Sequence, residues 1–287
     1  ASVTGRYDGS NQLGRSTSSR WLPTWNISGA WNAHEEEWFQ KWAQANKNWL
    51  SHGTLRLSYS LVGEQTTASN ALAVFRSGIM WRPQGDQQEQ YIYLSQLANS
   101  DLTYEKKKEF NIGVDLGFLN NRLNLSSDFY WRDNYDLMGY VNTPGAGGET
   151  RKFANVASMR SHGLEATISS QNIRTKDFDW STDLTYSYTK TKIKDVLSQA
   201  NVIGLVYNSG SNIRKGYPHR SIFSIPFVGL NDEGIPQVIN EKGEVTTTDI
   251  NFQEYQNLGF LKYEGPTEPT MNGGLNNTLR YKNWRLN

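Results

Sequence analysis

The sequence predicts an all-β fold: an antiparallel transmembrane β-barrel, represented here by about ten strands of a larger barrel, with long extracellular loops and short periplasmic turns. Three observations predict it. Long segments alternate strictly between apolar and polar residues. The connections between them are short and long by turns. Aromatic residues are abundant (10 Trp, 15 Tyr, 11 Phe) although only 37% of residues are hydrophobic and the mean hydropathy is −0.67. A wet-lumened barrel with aromatic girdles has that composition, and so does a polar, Tyr-rich secreted β protein.

The clearest alternation lies between Tyr104 and Asp136. Ile112, Val114, Leu116 and Phe118 alternate with Asn111, Gly113, Asp115 and Gly117; Leu123, Leu125, Phe129 and Trp131 then alternate with Asn124, Ser126, Asp128, Tyr130 and Arg132. Side chains of a strand point to opposite faces in turn, so each segment has an apolar and a polar face. Asn120-Asn121 between them tolerates the positive φ of a two-residue hairpin turn.

From the N-terminus, residues 1–8 read as a strand and 8–11 as a loop, and Trp25, Ile27, Gly29 and Trp31 mark a strand over 22–32. From His34 to His52, Trp38, Phe39, Trp42, Ala45 and Trp49 recur at helical spacing, the signature of one amphipathic helix. Leu55, Leu57, Tyr59 and Leu61 begin the next strand, and residues 63–103 are a long connection containing Pro83-Gln84-Gly85-Asp86. Residues 136–158 form a second long loop around Pro144-Gly145-Ala146-Gly147-Gly148. Strands over 159–173 and 178–193 flank a turn at Arg174–Asp177, and a third long loop extends from Lys190 to about Tyr217. Phe223, Ile225 and Phe227 mark a strand interrupted by Pro226, residues 230–269 are mostly loop with a weak strand near Pro236–Ile239, and a strand at Leu275–Tyr281 leads through Lys282-Asn283 into Trp284–Asn287. Tight turns thus alternate with the long loops 63–103, 136–158 and 190–217, the asymmetry of outer-membrane barrels. The final short strand is expected to continue, which makes residues 1–287 a fragment of a longer polypeptide.

Bulk properties exclude several functions. Twenty-nine basic and 28 acidic residues give a net charge of +1, so no electrostatic footprint for nucleic acid exists. Without cysteine there is no disulfide framework, thiolate nucleophile or Cys-ligated zinc. No apolar run is long enough for a membrane-spanning helix. The four histidines, at 34, 52, 162 and 219, lack metal-ligand spacing. Glu35-Glu36-Glu37 fits a solvated helix start, the glycine-rich loop lacks the Lys-Ser/Thr of a phosphate loop, and Lys106-Lys107-Lys108 reads as a headgroup-level charge cluster. No catalytic residues, metal or cofactor are expected.

Several blocks resemble one family. "LTYEKKKEFNIGVDLGFLNNRLNLSSDFYWRDNYDLM" and "NVASMRSHGLEATISSQNIRTKDFDWSTDLTYSYTKTKI" look like recurring blocks of SusC/RagA-like TonB-dependent outer-membrane transporters, and "GRYDGSNQLG…RWLPTWNISGAWN" does so less closely. "WLSHGTLRLSYSLVGEQ" and "PTMNGGLNNTLRYKNWRL" are similar to later barrel strands of that family. The resemblance implies import, driven through TonB, of a bulky nutrient, a glycan or an oligopeptide, captured with a SusD-like surface lipoprotein. It assigns residues 1–287 to the barrel domain; the plug domain and the TonB-contacting N-terminal part have no counterpart in them. A passive porin or adhesin barrel and a secreted β-sandwich that binds or cleaves glycans are the alternative readings.

In a barrel, Val114, Leu116, Phe118, Leu123, Leu125, Leu184 and Tyr186 meet outer-membrane lipid. Arg56, Asp115, Asp128, Arg132, Glu165 and Asp183 face the lumen or a plug. Trp180 and Trp131 lie near opposite ends of their strands, as do Tyr188 and Phe178, and would belong to two aromatic bands about 25 Å apart. Trp81, Tyr91, Tyr93, Tyr140 and Tyr207, all read as loop residues, are the candidates for contact with substrate or lid protein, since such rings stack on sugars and peptide side chains.

Overall fold

The computed structural model describes residues 1–65, 71–83, 85, 87–146, 150–207 and 213–287. Gln84 and Asp86 of the expected Pro83–Asp86 turn, and Gly147 and Gly148 of the glycine-rich loop, lie outside the described residues. In chain order the elements begin with β1 (Ser2–Gly9), α1 (Thr17–Arg20), β2 (Trp21–Asn32), α2 (Glu37–Ala45) and β3 (Leu50–Glu64). Then come β4 (Val74–Trp81), β5 (Gln88–Gln96), β6 (Glu105–Phe118), β7 (Leu123–Asn142), β8 (Arg151–Arg174) and β9 (Phe178–Val196). The last are α3 (Val202–Val206), β10 (Ser221–Ser224), β11 (Phe227–Leu230), β12 (Pro236–Ile239), β13 (Val245–Thr246), β14 (Lys262–Pro266), β15 (Met271–Tyr281) and β16 (Trp284–Leu286).

One nine-stranded antiparallel sheet, β1-β2-β3-β6-β7-β8-β9-β15-β16, forms the wall. Nearest neighbours in sequence pair, except where the hairpin β4–β5 and the segment 197–270 are inserted. The sheet is open, with β1 and β16 as its edges. This is a partial barrel of nine strands where the alternation predicts about ten, because the Phe223–Phe227 stretch lies outside it. That stretch breaks at Ile225-Pro226 into β10, which pairs with β14, and β11, which pairs with β12. Proline removes a ladder donor, and the chain changes sheets there.

All tight connections lie at one end of the wall. Leu119–Arg122 joins β6 to β7, Thr175–Asp177 joins β8 to β9, and Lys282-Asn283 joins β15 to β16. The first is wider than the expected two-residue turn, with three successive left-handed residues at Leu119, Asn120 and Asn121. The helix is shorter than the expected 34–52. A 3-10 turn spans Ala33–Glu35 and α2 ends at Ala45, after which Lys47 and Asn48 take positive φ. It caps the same end, with Phe39 packed over Gly53.

The long-loop end also differs from the reading of the sequence. Residues 136–158 are mostly strand: β7 continues to Asn142 and β8 starts at Arg151. A bulge between Asn134 and Leu137, with Asp136 at φ 56°, shifts the phase of the alternation, so a period-two pattern is lost although pairing resumes. Residues 63–103 hold the hairpin β4–β5. β9 reaches Val196, seven residues into the expected 190–217 loop, because Lys190 and Lys192 replace its apolar residues without ending the pairing with β8, which resumes after a bulge at Lys194.

Packing splits into two small cores. Leu13, Leu22, Ala71, Leu102 and Tyr104 cluster where β2 and β6 begin. Ala200, Val202, Leu205, Phe223 and Leu261 form the centre of the insert between β9 and β15. Fully buried Asn240 organises a turn in that insert: its Oδ1 accepts from the backbone N–H groups of Lys242 (3.0 Å) and Glu244 (2.9 Å), and its Nδ2 donates to the Asp249 carbonyl (3.2 Å).

Candidate functional site

Directly paired residues of an antiparallel sheet share a face. The register aligns Arg56, Gly113, Asp128, Glu165, Ser187 and Asn272 in one row, and Thr54, Asp115, Ser126, Thr167, Thr185 and Gly274 in the next. Arg132 and Asp183 follow at even spacing on the same strands. The six residues predicted for a lumen therefore share one face of the wall. Val114, Leu116, Phe118, Leu123, Leu125, Leu184 and Tyr186 share the other.

Charge on the polar face is organised by bidentate contacts. Arg56 donates from Nε and Nη2 to Asp115 (2.8 and 3.2 Å) and from Nη1 and Nη2 to Asp128 (3.2 and 3.1 Å). The Ser126 hydroxyl donates to Asp115 at 2.6 Å. Gly113 makes this possible, since a Cβ there would stand 2.6 Å from the guanidinium carbon of Arg56. Two rows nearer the long loops, Arg132 donates to Glu109 (2.8 and 3.3 Å) and lies 3.9 Å over the Tyr130 ring. Tyr130 is only 3% exposed; it lies across Gly163 and its hydroxyl meets Thr189 at 2.6 Å. Asp128, Glu165, Thr167, Thr185 and Ser187 line a shallow depression of about 240 Å³ on this face. The arrangement gives a wettable surface on which the carboxylates of Asp115, Asp128 and Glu109 are held by guanidinium groups and the Ser126 hydroxyl.

The opposite face carries large rings in the open. Ile27, Tyr59, Phe110 and Trp131 form one cross-strand row, with Ile27 53% and Trp131 47% exposed. Trp25, Tyr59, Phe110 and Trp131 are in successive ring contact at 5.0, 6.4 and 5.9 Å. At the tight-turn end, Trp49 meets Phe118 (5.4 Å) and Trp31 meets Trp38 of α2 (6.3 Å), while Trp180 and Phe178 pair with Leu279 and Tyr281. Trp131 and Trp180 thus stand at opposite ends of the wall. Phe110 and Phe118 are eight residues apart on β6, about 26 Å along the strand. A β-sandwich would bury these rings against a second sheet; here they are exposed.

The five aromatic candidates do not converge. Trp81 lies on β4 and Tyr91 and Tyr93 on β5, but the register sets Trp81 on the opposite face of that hairpin from the two tyrosines. Tyr91 and Tyr93 are in contact at 5.6 Å. Tyr140 is a strand residue of β7, not a loop residue, between Phe153 (5.3 Å) and the guanidinium of Arg151 (4.5 Å). Tyr207 follows α3 and is 81% exposed. The sequence reading missed the companions of Trp81: Phe75, Ile79 and Ile92 share its face, all exposed, Ile92 by 76%. Polar and apolar residues mix on both faces of this hairpin, so alternation gave no signal. His34 and His52, unconnected by spacing, stack at 3.9 Å. Among the described residues no group of three His, Cys, Asp or Glu could hold a metal ion.

The chain matches the family model "TonB dependent receptor-like, beta-barrel" over residues 1–282. It is 26% identical to TonB-dependent receptor P3 of Formosa agariphila, covering 99% of this chain and 29% of that protein. It is 32% identical to TonB-dependent receptor SusC of Bacteroides thetaiotaomicron over 65% of this chain and 18% of that protein. Among solved structures, the RagAB peptide transporter shares the fold, with a TM-score of 0.75 at 22% identity, over 98% of this chain and 30% of its own. The chain spans less than a third of the length of the relatives it matches.

Proposed function

Because the chain belongs to the TonB-dependent receptor-like β-barrel family, an outer-membrane family, we propose that residues 1–287 are part of the barrel domain of a SusC-like importer. The importer takes up a bulky nutrient, a glycan or an oligopeptide, with energy delivered through TonB and capture shared with a SusD-like surface lipoprotein. The observation that carries this reading is the division of the wall. Exposed rings and aliphatic side chains cover one face, as lipid requires, and an Arg56-centred charge network covers the other, as a wet lumen or plug requires. Arg56, Asp115, Asp128, Arg132, Glu165 and Asp183 then line the passage. Its relatives are named as receptors and as a peptide transporter.

Capture falls to the long-loop end. The hairpin β4–β5 offers Phe75, Ile79, Trp81 and Ile92 to a lid protein on one face, and Tyr91 and Tyr93 to substrate on the other. Aromatic side chains bury much area for few rotors, which favours them as interface anchors. Tyr140 and Tyr207 extend the same rim.

The hairpin can be removed cleanly, because its base is closed by the Asn99 N–H donating to the Ala71 carbonyl at 2.9 Å. In the full-length protein, replacing residues 74–96 by a short Gly-Ser link is expected to leave a heat-modifiable, membrane-inserted barrel. Co-purification of the lipoprotein and uptake of labelled oligosaccharide or oligopeptide should both fall. Undiminished lipoprotein capture and uptake would remove the hairpin from the mechanism. Uptake that persists after the proton gradient is collapsed would instead identify a passive porin.

A further inference from the structure

Along the ring-bearing face of β9, residues 184, 186 and 188 are Leu, Tyr and Tyr, and residues 190 and 192 are Lys; Lys194 follows at a bulge, where the register with β8 passes from Met159–Ile193 to Ser158–Asp195. A change from apolar to charged or titratable residues occurs within one row of this height on three neighbours. On β8 Leu164 is followed upward by His162 and Arg160, on β7 Phe129 and Trp131 by Asp133, and on β6 Phe110 by Lys108 and Lys106. The wall thus turns from apolar to mostly cationic in a band that starts in the ring row, where Trp131 pairs with His162 and His162 with Lys190, and continues one row toward the long loops through Lys108, Asp133, Arg160 and Lys192.

This band is built into the sheet. β15 stops pairing with β9 at Tyr188, and the insert takes its place: the Gly216 N–H donates to the Ile193 carbonyl, and the Ile193 N–H donates to the Tyr217 carbonyl, at 2.9 and 2.8 Å. Lys215 is thereby fixed beside the strand, and Arg160, His162, Lys190, Lys192, Lys194 and Lys215 line a cavity of about 500 Å³. Arg160 is paired with Asp133 and Lys215 with Asp195, each at 2.7 Å. Among the described residues, Lys190, Lys192 and Lys194 have no carboxylate within ion-pair distance. Five side-chain cations against two carboxylates leave three positive charges uncompensated on the outside of the barrel.

We propose that this cavity binds the phosphate of a phosphorylated glycolipid in the outward-facing leaflet of the membrane, with its acyl chains on Leu164, Leu184, Tyr186 and Tyr188 directly below. A cluster of Lys and Arg at the membrane boundary is a phosphate-binding arrangement. The occupant is a lipid, not a solute in transit, because the cluster shares its face with the exposed rings and not with the Arg56 network. The apolar surface is also continuous with it along the same strands. The inference rests on the membrane-spanning fold and is independent of what is imported.

The test uses the full-length protein in detergent and native mass spectrometry, with purified diphosphoryl lipid A, the same lipid stripped of phosphate, and inorganic phosphate as probes. The unmodified protein should retain the phosphorylated lipid at least tenfold better than the dephosphorylated one, and millimolar inorganic phosphate should not displace it. Lys190→Gln/Lys192→Gln/Lys194→Gln should lose that preference while uptake is unchanged. Lys242→Gln/Lys262→Gln, a change of two lysines within the insert, should keep it. Equal retention of the two lipids by the unmodified protein overturns the proposal without any variant having to fold. Full retention by the triple variant, or displacement by inorganic phosphate, overturns it as well.

Discussion

The wall and the insert between β9 and β15 treat their apolar residues in opposite ways. In the wall Ile27, Leu57, Phe129, Trp131 and Leu275 are exposed, and neighbouring strands contribute only their edges to one another. In the insert Val202, Leu205, Phe223 and Leu261 are buried, with Tyr217, Ile225, Leu258 and Tyr263 packed around them. The insert has a buried apolar centre, although its β11–β13 sheet leaves Phe227 and Leu230 exposed, whereas the wall leaves its apolar surface to be covered by something other than this chain. Exposed apolar area of this extent is unfavourable in water and favourable against lipid. One polypeptide therefore carries two solvents' rules, and the border between them lies at Lys190–Lys194.

The contrast predicts different failure modes. Phe223→Ala removes the ring at the centre of the insert core, touching Tyr217 and Tyr263 at 5.0 and 5.6 Å. A loss of about 3–5 kcal/mol is expected for such a truncation. It should appear as protease sensitivity confined to residues 197–270, with the wall still heat-modifiable. Collapse of the whole barrel would show that the two regions are not independent.

Charge on the ring-bearing face should instead damage the wall. Val114→Arg puts a guanidinium at mid-strand, where lipid exposure costs about 2–4 kcal/mol. Glu165→Arg puts one on the polar face at nearly the same depth, beside Asp128. Asp115 is the poorer comparison, because replacing it also strands Arg56. Assembly yield and urea stability in bilayers should drop for Val114→Arg and change little for Glu165→Arg. Equal tolerance of both would erase the distinction between the faces.

The smallest expected effect is a pH dependence in the insert. The Glu254 carboxylate accepts from the backbone N–H groups of Asn257 (2.8 Å) and Gln256 (2.6 Å), which holds it below the usual carboxylate range. A carboxylate with a lowered folded-state pKa stabilises the fold above its unfolded value of 4.5 and loses that contribution as pH falls through the folded one. Protease sensitivity of the insert should therefore rise modestly below about pH 4.5 in the unmodified protein and be flatter in Glu254→Gln.

Much of the wall could be read from the sequence because its strands carry two solvents on two faces, which makes period-two alternation visible. Val114 and Leu184 share one face of the wall, and Asp115 and Asp183 the other, for that reason. The same signal fails where only one solvent is present. Tyr140 was misread as a loop residue because the bulge at Asp136 shifts the phase, and the β4–β5 hairpin has apolar residues on both faces. The insert's core residues Val202, Phe223 and Leu261 are brought together by short strands too brief to show a period. Gly113 and Gly163 matter through the room they leave for Arg56 and Tyr130, which depends on cross-strand register and is absent from any linear pattern.

The division of the wall into two faces is most directly tested by spin-label accessibility along β9. The chain has no cysteine, so single substitutions at positions 183–188 of the full-length protein place one label each within this region. In bilayers, relaxation by molecular oxygen should peak at 184, 186 and 188, and relaxation by a water-soluble nickel complex at 183, 185 and 187. Loss of the two-residue period, or an oxygen maximum at 183, 185 and 187, would contradict the assignment of lipid and lumen on which this account rests.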